Sequence, residues 1–158
     1  MKFNATQIPY QATGLFSQLV RDYVEGKKTA LDFVEYAPNF EGVQKAIAAR
    51  KGFVVNRPLL VEVLKAQYTL VPSTKAVDDN VNALSTDNTF VVTTAHQPNI
   101  FTGPLYFFYK IIHAIQLAAD FKKQFPENNF VPVYYMGSED ADIEEVGSFV
   151  LGGTTYQW

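Results

Sequence analysis

Two short segments of the 158-residue chain collect the side chains best suited to bind or transform a ligand. The first is His96-Gln97-Pro98-Asn99-Ile100-Phe101-Thr102-Gly103-Pro104; the second is Gly137-Ser138-Glu139-Asp140-Ala141-Asp142-Ile143-Glu144-Glu145. In the first, Gly103 and Pro104 read as a helix start. Proline suits a first turn because the donor it lacks would be unpaired there, and the amides of Leu105 and Tyr106 have no intrahelical acceptor. Gly103 lets a ligand approach the backbone closely, and the helix dipole adds partial positive charge. Such an end can hold a phosphate or a carboxylate; the plainer reading is a well-capped crossover helix. The glycine spacing is neither that of a Walker loop nor that of the dinucleotide fingerprint. His96 could serve a ligand as donor, acceptor or acid, or simply bond to backbone. In the second segment five carboxylates fall within seven residues, and they repel one another unless solvated, capped or paired with cations. They suit recognition of an amine or hydroxyl, or Mg²⁺ held together with a nucleotide. They also suit the first turn of a helix capped by Ser138. His113, among Ile111, Ile112 and Ile115, reads as a helix histidine, and Tyr106, Tyr109, Tyr134 and Tyr135 read as core or pocket wall.

These segments need elements to hold them. Thr89 to Ala95 is β-branched and apolar, bounded by Asp87-Asn88 and Pro98-Asn99, and reads as a buried strand. Pro104 to about Lys123 reads as a helix, and Phe130 to Met136 as a second strand after the turn-like Pro126-Glu127-Asn128-Asn129. Strand, crossover helix and strand make one βαβ unit with adjacent parallel strands. In open parallel sheets ligands bind beyond the carboxyl ends of the strands, which is where both polar segments fall. The last ten residues resemble a hairpin around Gly152-Gly153. Residues 1–88 read as a mainly helical region, with helices expected over Gly14 to Val24, Phe40 to Arg50, Pro58 to Tyr68 and Ala76 to Leu84. The expected organisation is therefore 1–88 helical and 89–158 the start of an α/β core.

Composition narrows the classes. Hydrophobic residues make up 47% and charged residues 18%, enough for a packed core. The net charge of −3 argues against a nucleic-acid or anionic-membrane binder, which would need a basic face. With no cysteine there is no disulfide, thiolate metal site or cysteine nucleophile. The N-terminus lacks the apolar core of a signal peptide, and no apolar run reaches the roughly 18 residues of a membrane span, so a cytoplasmic location is expected. Thirteen Phe and nine Tyr supply more aromatic surface than a small core needs, which suits a pocket wall or a partner surface.

The two segments carry a family resemblance. His96 through Tyr106, followed by Tyr109-Lys110, resembles the Gln-Pro/Ala-Gly-Leu-hydrophobic-Thr-Gly-Pro-Leu-Tyr stretch of the bacillithiol biosynthesis cysteine-adding enzymes, the BshC family. Val131-Pro132-Val133-Tyr134-Tyr135-Met136-Gly137-Ser138-Glu139-Asp140 resembles that family's second core stretch, and Asp142 and Glu145 match its next acidic positions. Asp22-Tyr23-Val24-Glu25-Gly26 and Asp32-Phe33-Val34-Glu35-Tyr36 are similar to its N-terminal pattern more loosely. The chain departs where Ala141 stands for a frequent His, Gly147-Ser148 for Asn-His, and Asn99 for a common Gly. No histidine pair stands at the spacing class I synthetases use for ATP phosphates.

The resemblance implies a Rossmann-like parallel-sheet core of class I synthetase and nucleotidylyltransferase form, present here as an incomplete N-terminal part. It implies a ligase that adds L-cysteine to glucosaminyl-malate, with ATP and Mg²⁺ as the chemically sensible cofactor because a carboxylate must be activated before an amine can form an amide. Under that reading Asp140, Glu139 and His96 are the expected catalytic groups. Asn99, Thr102, Gly103, Ser138 and Asp142 are the expected substrate contacts, with no protein-bound metal site. A homo-oligomer is expected, with the part seen here inactive by itself. Two other readings stay open: a non-catalytic oligomerisation or binding module, and a nucleotidyltransferase-like enzyme acting on another small acid.

Overall fold

A computed structural model of the chain describes residues 4–99, 103–140 and 142–157, with backbone alone at 145 and 146. It divides into two compact units, 1–54 and 55–158. The sequence changes from helices to strand–helix–strand at 88/89, but compactness groups the two helices before that point with the strands.

The first unit is a set of short helices. α1 (Tyr10–Thr13) is closed by Gly14 in the left-handed region, and α2 (Gln18–Val24) opens on Ser17, whose hydroxyl accepts from the Val20 amide. The single helix expected from Gly14 to Val24 is therefore corrected. A left-handed glycine ends one helix and a serine cap starts the next. α3 (Lys28–Leu31) was not anticipated. It is tied to α2 through Asp22, which accepts from Gln18 (2.6 Å), Lys27 (2.9 Å) and Thr29 (3.2 Å). The bond from Lys27, reinforced by Gln18, holds the Asp22 carboxyl below the usual aspartate range. α4 (Phe40–Arg50) has the expected bounds and is capped by Asn39, which accepts from the Gly42 amide at 2.8 Å.

The second unit begins with α5 (Arg57–Tyr68), capped by Asn56 with Pro58 in its first turn, and α6 (Lys75–Ala83), capped by Thr74. The core follows: β1 (Thr89–His96), α7 (Leu105–Gln124) and β2 (Asn129–Met136). β1 and β2 pair parallel and in register from Thr89↔Asn129 to His96↔Met136, as the βαβ reading expects. α7 packs on one face of this pair. Phe121 and Phe125 meet Phe130 at 5.5 and 6.2 Å, Phe130 meets Phe90 at 6.0 Å, and Ala114 and Ala118 are buried. α6 covers part of the opposite face, where Val81, Leu84 and Val131 are buried.

Burial in β1 alternates instead of running continuously, and Val91 is 52% exposed. The β-branched run reads as a strand covered on both faces, whereas here only the α7 face is covered along its length. Along β2, α5 and α6 leave a groove of about 620 Å³ lined by Leu64, Tyr68, Val77, Val81 and residues 131–136. α8 (Ile143–Val146) and the antiparallel hairpin β3 (Ser148–Leu151) and β4 (Thr154–Gln157) complete the unit. The hairpin turn has positive φ at both Gly152 and Gly153, the two-glycine geometry that suits a tight hairpin. Two parallel strands are fewer than a Rossmann-like sheet needs, so the sheet among the described residues is incomplete.

The polar network at the amino ends of the strands is structural. Arg57 reaches from the start of α5 to donate to the carbonyls of Leu84 (3.0 Å) and Thr89 (3.2 Å). Lys122 donates to Pro126 O, Asn128 O and Asn129 Oδ1, and Thr89 Oγ1 donates to Ala83 O at 2.6 Å.

Candidate active site

The register places His96 opposite Met136, so the segments leaving the two strands start side by side. The His96 carbonyl joins them: it accepts from the Gly137 amide (2.9 Å) and the Tyr134 hydroxyl (3.1 Å). The His96 ring is half-buried at the α7 side, with Nε2 2.7 Å from the Tyr106 hydroxyl. Lys110, one turn further along α7, donates to the Ala95 carbonyl. The end of β1 is thereby pinned by α7 and β2 together.

On this first wall Asn99 donates from its amide to Gln97 O at 2.9 Å. Gly103 has φ +67°, and a β-carbon there would lie 2.7–2.8 Å from Asn99 side-chain atoms. Glycine is thus required twice, by conformation and by contact. α7 starts at Leu105 with Pro104 as its cap residue and no side-chain cap, leaving its first amides to another acceptor. Thr102 lies outside the described residues.

The second wall turns directly after β2. Ser138 N donates to Met136 O (2.9 Å) and Asp140 N to Gly137 O (3.2 Å). Ser138, Glu139 and Asp140 are exposed. Glu139 Oε1 accepts from the Tyr135 hydroxyl at 2.9 Å, and this bond holds the Tyr135 phenol above the usual tyrosine range. The buried Gly137 sits between the walls: a β-carbon there would lie 3.8 Å from both Glu139 Oε1 and His96 O.

One local expectation is corrected. Ser138 does not cap a helix; it belongs to a turn, and the cap of α8 is Asp142, whose Oδ1 accepts from the Glu144 amide at 2.9 Å. The aspartate bonded two residues ahead caps the helix here, which starts about one turn later than a Ser138 cap would give. Asp142 thus spends one oxygen on backbone, while Asp140 stays exposed.

Among the described residues no group of three or more His, Asp or Glu side chains converges as a metal site. A divalent cation here would rely on one or two carboxylates plus ligand oxygens, the way Mg²⁺ is usually held beside phosphates. Sequence reasoning assigned no role to Tyr106, Tyr134, Tyr135 or Lys110 beyond wall or motif. Their signal was periodic: Tyr106 and Lys110 are four apart on one helix face, and Tyr134 points to the His96 face of the sheet. His113 is exposed on α7, away from the contacts just described.

A family model described as the bacillithiol biosynthesis BshC N-terminal Rossmann-like domain matches residues 1–158. The chain belongs to the BshC family. Relatives named "Putative cysteine ligase BshC" bear this out. The one from Flavobacterium johnsoniae is 40% identical over 153 residues, 96% of this chain and 29% of the relative. That from Cytophaga hutchinsonii is 36% identical over 156 residues, covering 99% and 30%. That from Bacillus cereus is 30% identical over 146 residues, covering 92% and 26%. The chain thus spans less than a third of the length of the BshC relatives it matches. The BshC domain described here is α/β and Rossmann-like, with both polar segments at one end of its sheet. No described helix is long and apolar enough to cross a membrane.

Proposed function

We propose that this chain forms part of the active site of a ligase that joins L-cysteine to glucosaminyl-malate through a carbon–nitrogen bond. The observation that carries the reading is the meeting of two polar segments across the Gly137 N–His96 O bond, at the carboxyl ends of parallel strands in a BshC-family domain. The wall of His96, Asn99 and Gly103, with Thr102 as the sequence expects it and the first amides of α7, takes an anionic group: a carboxylate of the malate or a phosphate. The wall of Ser138, Glu139, Asp140 and Asp142 takes cationic or hydroxyl-rich partners: an ammonium, sugar hydroxyls or Mg²⁺. ATP with Mg²⁺, when bound, would supply activation of the cysteine carboxylate, so that a phosphate-bearing group leaves as the glucosaminyl amine forms the C–N bond. The start of α7, where Pro104 supplies no side-chain cap, and the exposed carboxylates suit phosphates and their cation. The amine must attack as its free base, and Asp140, exposed and without an ion-pair partner among the described residues, would receive the proton. Glu139 is oriented by Tyr135 to bind beside it.

The test uses the full-length protein, L-cysteine, glucosaminyl-malate and ATP, with mass spectrometry of the product. Formation of the conjugate is expected, and its absence would overturn the reading. Asp140→Asn keeps shape and removes the charge, so kcat should fall on the order of 100-fold, as for loss of an acid–base group, with thermal unfolding unchanged. Parent-like turnover would remove Asp140 from the site. Residues 1–158 alone should not ligate, because the sheet is incomplete.

A second reading, an oligomerisation module, draws on one observation: the outer face of α7 exposes Leu105, Phe108, Ile112 and Ile115. Full-length protein that forms stable oligomers and yields no conjugate would favour it.

A further inference from the structure

The His96 ring is held more closely than a loop histidine needs. Besides the 2.7 Å contact between Nε2 and the Tyr106 hydroxyl, the two rings stack, with centroids 5.2 Å apart and planes 22° apart. Phe107 lies 5.6 Å from the imidazole and meets Tyr134 edge-on at 5.5 Å. Tyr134 in turn bonds the His96 carbonyl. Ring and backbone are therefore both held by α7 and β2, and rotation of the imidazole would break the Tyr106 bond.

The chemistry of that bond sets the proton. A phenol is a far better hydrogen-bond donor than a neutral imidazole N–H, and an imidazole nitrogen bearing a lone pair is a good acceptor. Tyr106 then donates, Nε2 accepts, and the single proton of the neutral ring sits on Nδ1. Which ring nitrogen is protonated follows from the bond the other one makes.

We propose that Tyr106 is a positioning residue that holds His96 as its Nδ1–H tautomer, so that His96 serves the site as a hydrogen-bond donor to a ligand carboxylate or phosphate oxygen. The Nε2 lone pair, which a general base would use, is occupied. His96 then joins the first amides of α7 as the donor side of the pocket, leaving proton acceptance to the acidic wall. This rests on the ligase reading for the identity of the anion, but the tautomer does not.

The experiment labels histidine with ¹⁵N in the full-length protein and assigns the His96 ring signals by their loss in His96→Asn. At about pH 8.5, where histidine is neutral, the parent should show a protonated Nδ1 and an unprotonated Nε2. Tyr106→Phe, which keeps the ring and removes only the hydroxyl, should shift the population toward the Nε2–H form that a free side chain favours. A parent protonated at Nε2, or a tautomer unmoved by Tyr106→Phe, would overturn the proposal. In the ligation assay Tyr106→Phe should raise KM for the anionic substrate about fivefold, the worth of one hydrogen bond, with kcat little changed. A fall in kcat at constant KM would return His96 to the role of base. If no ligation occurs at all, the reading of function fails and the ring signals still decide the tautomer.

Discussion

Gly103 concentrates the constraints on the first wall of the site. Its φ of +67° costs a residue with a β-carbon about 1–2 kcal/mol, and that β-carbon would also press within 2.8 Å of Asn99. Gly103→Ala should therefore lower the melting temperature by several degrees, since about 1 kcal/mol moves a domain of this size by roughly 2–4 °C. It should also displace Asn99 from Gln97. Gly137→Ala is the matched control: its new β-carbon meets nothing nearer than 3.8 Å, so the melting temperature should stay close to the parent's. Equal losses in the two variants, read by thermal unfolding, would show that the Asn99 contact does not govern the wall. The glycine and the proline that starts the helix are legible in the sequence as a helix entrance. The Asn99 contact is not, because it depends on the path of the chain between 99 and 103.

At the scale of elements, the unit is clipped together by Arg57. Its side chain is only 18% exposed and binds carbonyls at the end of α6 and the start of β1, along with the carboxylate of Asp87. Charged hydrogen bonds of this kind are worth about 1.5–3 kcal/mol each, and their removal strands buried acceptors. Arg57→Ala should cost roughly 2–4 kcal/mol in denaturant unfolding. Asp87, fully exposed, makes a screened surface pair, so Asp87→Ala should leave the denaturant midpoint close to the parent's. A loss from Asp87→Ala as large as that from Arg57→Ala would make the ion pair, not the carbonyl bonds, the clip. Helix α5 is readable from its spacing and from Pro58. The role of the arginine that opens it is not, since its partners stand 27 and 32 residues away.

For the whole molecule, the outer face of α7 is the feature without an internal answer. Leu105, Phe108, Ile112 and Ile115 follow the 3-4-3 spacing of a helix seam and are each 43–68% exposed. An apolar stripe of this kind on a helix already packed on its other side marks a contact surface. The 158-residue chain should bind an environment-sensitive hydrophobic dye and sediment above its monomer mass. Ile112→Lys together with Ile115→Lys should reduce both signals while leaving the βαβ unit folded by circular dichroism. A monomeric parent that binds no dye would show the stripe to be innocuous. The relatives extend far beyond the matched region, which agrees with a parallel sheet of two strands among the described residues.

By itself the sequence determined the order of strand, helix and strand, the parallel pairing, the placement of both polar segments at one end of the sheet, and the family. The elements and their pairing follow from β-branched runs, helical spacing and the rule that a crossover joins neighbouring strands, all of which act over short stretches of chain; the family follows from the resemblance of the two motifs at 96–110 and 131–145. The tertiary structure alone decided that Asp142 and not Ser138 caps α8, that β1 is covered on one face, and that His96 pairs with Tyr106 while Glu139 pairs with Tyr135. Those outcomes depend on strand register and on which rotamers survive packing. A side chain can reach several partners from the same backbone, and only the assembled neighbours select one.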